Sequence, residues 1–217
     1  MSNSLFAHPH FERWKQRIKK NGNIINKIDV LGIVSRDCDN FFGAFLDCQL
    51  VTPEGEEISR CVLIQDDSVV IVPVLYCQDD GEIYTMMVKQ RRIVDGEFSF
   101  EFPAGGRGMT NDPRLAASQE IQEELHLNIP AEDFLPLATN SIKIIPSTFG
   151  SMADYFYFQK EVSLDFLNKI NHRSTGCHKD QEHIIVHVLK MSDVNIHLTS
   201  SALIGIKLLE RALKRTF

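Results

Sequence analysis

The stretch EFPAGGRGMTNDPRLAASQEIQEELHL, residues 101–127, carries the reading of the whole chain. Phe98, Phe100 and Phe102 alternate with other residues as in a half-buried strand, and Ala104-Gly105-Gly106-Arg107-Gly108 then opens into a glycine-rich loop. Asp112 and Pro113 supply the acceptor cap and first residue of a helix expected to run to about His126. Within it Ala117, Ile121 and Leu125 form an i, i+4, i+8 apolar stripe, and Glu120, Glu123 and Glu124 fall together on a neighbouring face. Three acceptor-only groups at that spacing repel one another, so the pattern asks for a neutralising partner. A hard divalent cation such as Mg²⁺ answers it, because it takes oxygen ligands from a few carboxylates and leaves other positions to water and phosphates. Helical periodicity alone fits a solvated acidic face as well. The preceding loop, with backbone able to approach a ligand closely, tilts the reading towards diphosphate chemistry.

Outward from this segment the chain reads as alternating short strands and helices. His10 to Lys20, with Phe11, Trp14 and Ile18 at helical spacing, predicts an amphipathic helix ending near Asn21 and Gly22. GAFLDCQLVT and EISRCVLI flank Pro53-Glu54-Gly55 and predict a β-hairpin between Phe41 and Ile64. A second hairpin follows, pairing Val69 to Tyr76 with Ile83 to Val88 across Asp79-Asp80-Gly81. Ile142 to Ile145, Tyr155 to Phe158 and Ile184 to Leu189 are further strand candidates. Leu203, Ile206, Leu209 and Leu213 give the closing segment, Ser200 to Lys214, helical periodicity.

Composition sets the outer limits. The 217 residues are 43% hydrophobic and 24% charged, the balance of an ordinary soluble globular protein. Twenty-three basic against 29 acidic residues give a net charge of −6, which disfavours nucleic acid as a partner. No apolar run reaches membrane-spanning length, and the N-terminus lacks the pattern of an export signal; a cytoplasmic protein is expected. Cys38, Cys48, Cys61, Cys77 and Cys177 are scattered and odd in number, which argues against a disulfide framework or a zinc site. His172, His178, His183 and His187 make no persuasive zinc pattern either.

The 105–127 segment resembles the signature of the Nudix hydrolases, G-x5-E-x7-R-E-U-x-E-E-x-G-U with U an aliphatic residue. Gly105, Glu120, Ile121, Glu123, Glu124 and Leu127 match it, whereas Asn111, Gln119 and His126 stand where the family has glutamate, arginine and glycine. Glu101-Phe102-Pro103-Ala104-Gly105 resembles the E-x-P-A-G lead-in of the branch that cleaves ADP-ribose and nucleotide sugars. Val88-Lys89-Gln90-Arg91-Arg92 is similar to its V-x-Q-x-R strand end. Pro146, Ser147, Gly150 and Asp154 are similar to the loop after the helix, and Asp180-Gln181-Glu182-His183-Ile184 to the acidic loop that supplies a catalytic carboxylate.

The resemblance implies an α/β (α+β) Nudix fold, a mixed β-sheet sandwiched between helices. Residues 1–65 would form an N-terminal helix and antiparallel β-extension that makes a homodimer, and residues 66–217 the hydrolase domain. It implies Mg²⁺, with Mn²⁺ as a substitute, held by Glu120, Glu123, Glu124 and the Ala104 carbonyl. Glu182 would act as the base, with Asp154 in reserve. Arg92, Glu101, Gly105 and Asp154 would meet the substrate, and Arg91 could exchange roles with Arg92. An Asn111–Gln119 amide pair would brace the loop in place of the family's ion pair. The expected reaction is hydrolysis of ADP-ribose or a nucleoside-diphosphate sugar to a mononucleotide and a sugar phosphate. Two alternatives stay open: a catalytically weakened domain that binds a nucleotide and regulates, and a hydrolase of nucleoside triphosphates or coenzyme A.

Overall fold

The computed structural model describes residues 5–6, 8–35, 41–176, 183–196 and 199–217. The chain divides into two compact units, residues 1–68 with 142–153, and residues 69–141 with 154–217.

The first unit holds helix α1 (Pro9–Lys20) and the antiparallel sheet β1 (Ile24–Ser35), β2 (Phe41–Val51), β3 (Glu57–Gln65). The β2–β3 hairpin is the one that the Pro53-Glu54-Gly55 turn foretold, with Val51 opposite Glu57. Strand β1 is not legible in the sequence by alternation, because register shifts between Ile25/Lys27, Val30/Gly32 and Val34/Ser35 break its period of two. Phe11 and Trp14 of α1 are buried with Leu5, Ala44, Leu46, Cys48 and Ile64. Charged groups fix the helix beside this core. Arg17 Nη1 meets Asp67 Oδ2 at 2.7 Å, Arg13 Nη2 meets Asp66 Oδ1 at 2.8 Å, and the Met152 N–H donates to Asp67 Oδ1 at 2.9 Å.

The second unit is built on a mixed sheet of β4 (Ser68–Cys77), β5 (Ile83–Arg91), β10 (Met152–Val162), β12 (Ile184–Lys190) and the short strands β8 (Leu135–Pro136) and β11 (Ser174–Thr175), in the order β11-β12-β5-β4-β10-β8. Strand β6 (Phe98–Glu101) pairs with β5, and β7 (Ala104–Gly106) with β4. The strand expected over Ile142 to Ile145 is only the two-residue β9 (Ile142–Lys143), which pairs with the first residues of β10 in the first unit.

Helices cover both faces of this sheet. On one side α2 (Pro113–Leu125) buries Ala117, Ile121 and Leu125, the predicted stripe, against Met86, Val88, Ile184 and Val186. The short α3 (Leu164–Ile170), which the sequence reading missed, adds Leu167 and Ile170 to that core. On the other side α4 (Ser200–Leu213) buries Ala202, Gly205, Ile206 and Leu209; Leu203 of the expected stripe is exposed. Gly205 lets α4 approach closely, since a Cβ there would lie 3.1 Å from Val72 and 3.2 Å from the Phe102 ring. Phe102 accordingly is fully buried and lies beyond the end of β6, whereas Phe98 is 47% exposed.

Ile121 has no exposed surface and no room to be replaced by a neighbour. Ile121→Ala should lower stability by about 3 kcal/mol, within the roughly 2–5 kcal/mol range of such truncations, read as a shift of the urea midpoint at unchanged slope.

Candidate functional site

The carboxylate helix starts as its sequence dictates. Asp112 Oδ1 accepts from the Arg114 N–H at 2.9 Å, and Pro113 takes the first helical position. At the other end His126 adopts a left-handed conformation, φ 54°, where the signature has glycine. Its Nδ1 lies 3.2 Å from the Gln122 carbonyl, an interaction that offsets part of the cost of placing a Cβ in that region.

Between these ends two glutamates close on the glycine loop. Glu124 is buried, 5% exposed, and its Oε2 accepts the Ala104 N–H at 3.1 Å. Its own carbonyl accepts the Thr175 hydroxyl at 2.6 Å, tying α2 to β11. Glu120 lies directly over Gly105: a Cβ on that residue would sit 2.1 Å from the Glu120 carboxyl carbon, so any side chain there would displace the carboxylate. Glu123 is exposed on the adjoining part of the helix.

A second pair lies at the ends of β5 and β6. Arg92 Nε and Nη2 donate to the two Glu101 oxygens at 2.7 and 2.6 Å, a bidentate fork. Burial pushes the Glu101 carboxyl up, but the Arg92 bond and charge and the Ser99 hydroxyl outweigh it and hold the group below the usual carboxylate range. Arg91 diverges from its neighbour. It donates to the Gly96 carbonyl and stacks over Phe98, 4.3 Å from the ring centroid.

Asp154 and Arg107 form a third pair, 3.4 Å apart, with the Ser141 hydroxyl donating to the other Asp154 oxygen at 2.5 Å. Arg107 also donates to the Asn111 carbonyl. Neither Arg107 nor Ser141 was given a role from sequence; a lone cation inside a run of glycines was the available signal for the first. Asn111 and Gln119 are both exposed, and the expected amide pair is not formed. A polar cavity of about 400 Å³ adjoins this cluster, lined by Asp112, Arg114, Thr139, Asn140, Ser141 and Asp154 among others.

Glu182, the expected base, lies outside the described residues, as do His178, Cys38 and Cys177. Cys48 and Cys77 are buried, whereas Cys61 is exposed. His172 and His187 have their rings 5.9 Å apart, and among the described residues no group of three or more His, Cys, Asp or Glu is gathered as a ready-made metal centre. Glu120 and Glu124 nevertheless offer hard oxygen donors on a single turn of α2 against Ala104 and Gly105, a donor set that fits a hard divalent cation. Among the described residues no helix is long and apolar enough to cross a membrane.

No family model matches the chain. A curated relative, Nudix hydrolase 14, chloroplastic, from Arabidopsis thaliana, is 24% identical over 146 residues, which are 62% of this chain and 46% of that protein. The chain thus spans about half the length of the curated relative it matches. Among solved structures, the crystal structure of an ADP compounds hydrolase superposes with a TM-score of 0.57 at 13% identity, covering 88% of this chain and 94% of that one. The chain thus resembles a Nudix hydrolase over 146 residues and shares the fold of the ADP compounds hydrolase.

Proposed function

We propose that the chain hydrolyses the diphosphate linkage of ADP-ribose or another nucleoside-diphosphate sugar. The observation that carries this reading is the closure of Glu120 and Glu124 onto Ala104 and Gly105, which sets two acceptor-only carboxylates against half-buried loop backbone. Helix α2 also has no basic residue in its last turn, where Glu123 and Glu124 lie at the negative end of the helix dipole. That arrangement calls for an external cation. Mg²⁺, or Mn²⁺ in its place, would be held by Glu120, Glu123, Glu124 and the Ala104 carbonyl, and would neutralise phosphate charge and lower the pKa of a bound water.

The remaining roles belong to the protein's own groups. Arg92 carries a planar fork of donors suited to a phosphate, and Glu101 orients it through both of its oxygens. Glu182 is the proposed base: it takes a proton from water as that oxygen bonds to phosphorus and the bond from phosphorus to the bridging oxygen breaks. A mononucleotide and a sugar phosphate leave. The superposable ADP compounds hydrolase is in keeping with this substrate class. Residues 1–65 are proposed to dimerise the protein, with 66–217 as the hydrolase domain. Supporting the first part, Leu31, Ile33, Val34, Phe42 and Phe45 of the β1–β2 pair are all exposed, an apolar set of the kind that marks an interface.

Release of mononucleotide from ADP-ribose and a panel of nucleoside-diphosphate sugars, triphosphates and coenzyme A, with Mg²⁺ or with EDTA, tests the reading. Cleavage of the diphosphate-linked sugars should require the metal and fall by about 10²-fold or more in Glu124→Gln. Binding of a nucleotide without turnover would favour the regulatory alternative instead. The Glu101 pair predicts a pH dependence. Because its folded pKa is lowered, its contribution to stability is complete above the ordinary value of 4.5 and is lost as the pH falls through the folded value. The stability gap between wild type and Glu101→Gln should therefore be widest at neutral pH and close as the pH falls below 4.5 and through the lowered folded value, measured by urea unfolding at each pH. For the dimer, Phe45→Glu should halve the mass seen by analytical ultracentrifugation; an unchanged mass would remove this sheet from the interface.

A further inference from the structure

The far end of the glycine loop needs a fastening that the signature's own residues do not supply here. Asn111 and Gln119, which stand at the glutamate and arginine positions, are exposed and unbonded to each other. The loop that leads up to Asn111 contains Gly106 and Gly108, the latter at φ +58°, so its backbone has wide freedom unless something restrains it.

We infer that Arg107 is the positioning residue that replaces the missing brace, and that Asp154 and Ser141 are its anchor. One guanidinium spans the turn: it donates to the Asn111 carbonyl four residues on and meets Asp154 of β10 at 3.4 Å. Asp154 in turn is fixed by the Ser141 hydroxyl at 2.5 Å on its other oxygen. Both members of the ion pair are largely withdrawn from water, with side chains 12% and 15% exposed, so their attraction is screened less than that of a surface pair. A lysine could not serve both partners, because a point charge lacks the diverging donors. The loop is thereby held at two places, by Glu124 on the Ala104 N–H at its start and by Arg107 at its end. Asp154 has both oxygens engaged and is an anchor, not a base in reserve.

The catalytic consequence of the brace rests on the proposed hydrolase reading; the brace itself does not. Amide hydrogen exchange of the full chain without ligand, read over residues 104–111, measures it directly. Arg107→Ala and Asp154→Asn should each speed exchange there by about tenfold, and Arg107→Lys by less, while exchange in α2 stays at the wild-type rate and reports that the protein is folded. Combining Arg107→Ala with Asp154→Asn should add little to either alone, as expected of two members of one pair. Gln119→Ala should exchange like wild type. On a cleaved diphosphate, Arg107→Ala should lower kcat by about tenfold or more with a smaller change in KM, and Arg107→Lys should restore part of it. Unchanged exchange over 104–111 in Arg107→Ala, or equally fast exchange in Gln119→Ala, would overturn the assignment. If wild type cleaves no diphosphate, the hydrolase reading falls while the exchange rates still decide the brace.

Discussion

The contact of the Glu120 carboxylate with the bare Cα of Gly105, 2.1 Å from where a Cβ would stand, is the constraint on which the rest of the second unit depends. It sets the distance between α2 and the strand that precedes the loop, and the bond from the Ala104 N–H to Glu124 fixes the same two segments one turn further on. To hold that distance, the helix must sit flat on the sheet, and it does so through Ala117, Ile121 and Leu125, none of which has exposed surface. Small residues at 116 and 117 permit the approach; Ile121 and Leu125 fill the space beyond. The core thus serves the site by keeping two like-charged groups where they would not settle by themselves.

That arrangement sets two carboxylates one helical turn apart beside the loop. Burying Glu124 removes water from a carboxylate, and the Ala104 N–H supplies part of what replaces its hydration. The nearby cations are committed elsewhere: Arg107 to Asp154 and the Asn111 carbonyl, and Arg91 to Gly96 and the face of Phe98. Arg92 is held by Glu101 in a bidentate pair. These arginines thus orient the loop backbone, Glu101 and Asp154, while Glu120 and Glu124 supply hard oxygen donors of the kind that suits a divalent cation.

How much of this was legible in the sequence follows from which signals are local. The capped start of α2, its apolar stripe and the two hairpins rest on turn chemistry and periodicity within a dozen residues, and each appears in the structure as read. Strand β1 was hidden because three register shifts scramble its alternation, and α3 because seven residues are too few for periodicity to declare itself. The partnership of Arg107 with Asp154 joins positions 47 apart, and no spacing rule reaches that far. The Asn111–Gln119 pair was inferred from what the two side chains could do; both are exposed, and it is the backbone carbonyl of Asn111 that is engaged, by Arg107.

Buried charge is used differently in the first unit. Asp67 is 3% exposed and receives Arg17 at 2.7 Å and the Met152 N–H at 2.9 Å, while Asp66 receives Arg13 at 2.8 Å and His10 Nε2 at 3.1 Å. Such pairs add little net stability, since the desolvation of each ion offsets most of their attraction. What they add is discrimination between ways of docking α1. The apolar contacts of Phe11 and Trp14 would tolerate a helix slid by one turn, because hydrophobic burial is not directional. Arg13 Nε also lies 3.5 Å from Asp67, so two arginines one turn apart compensate its buried charge, and losing both would leave a charge of the kind that costs roughly 3–5 kcal/mol. The ion pairs therefore fix which face of α1 covers Asp67, a choice that its hydrophobic contacts alone leave loose, whereas in α2 the close approach of Glu120 to Gly105 has the corresponding part.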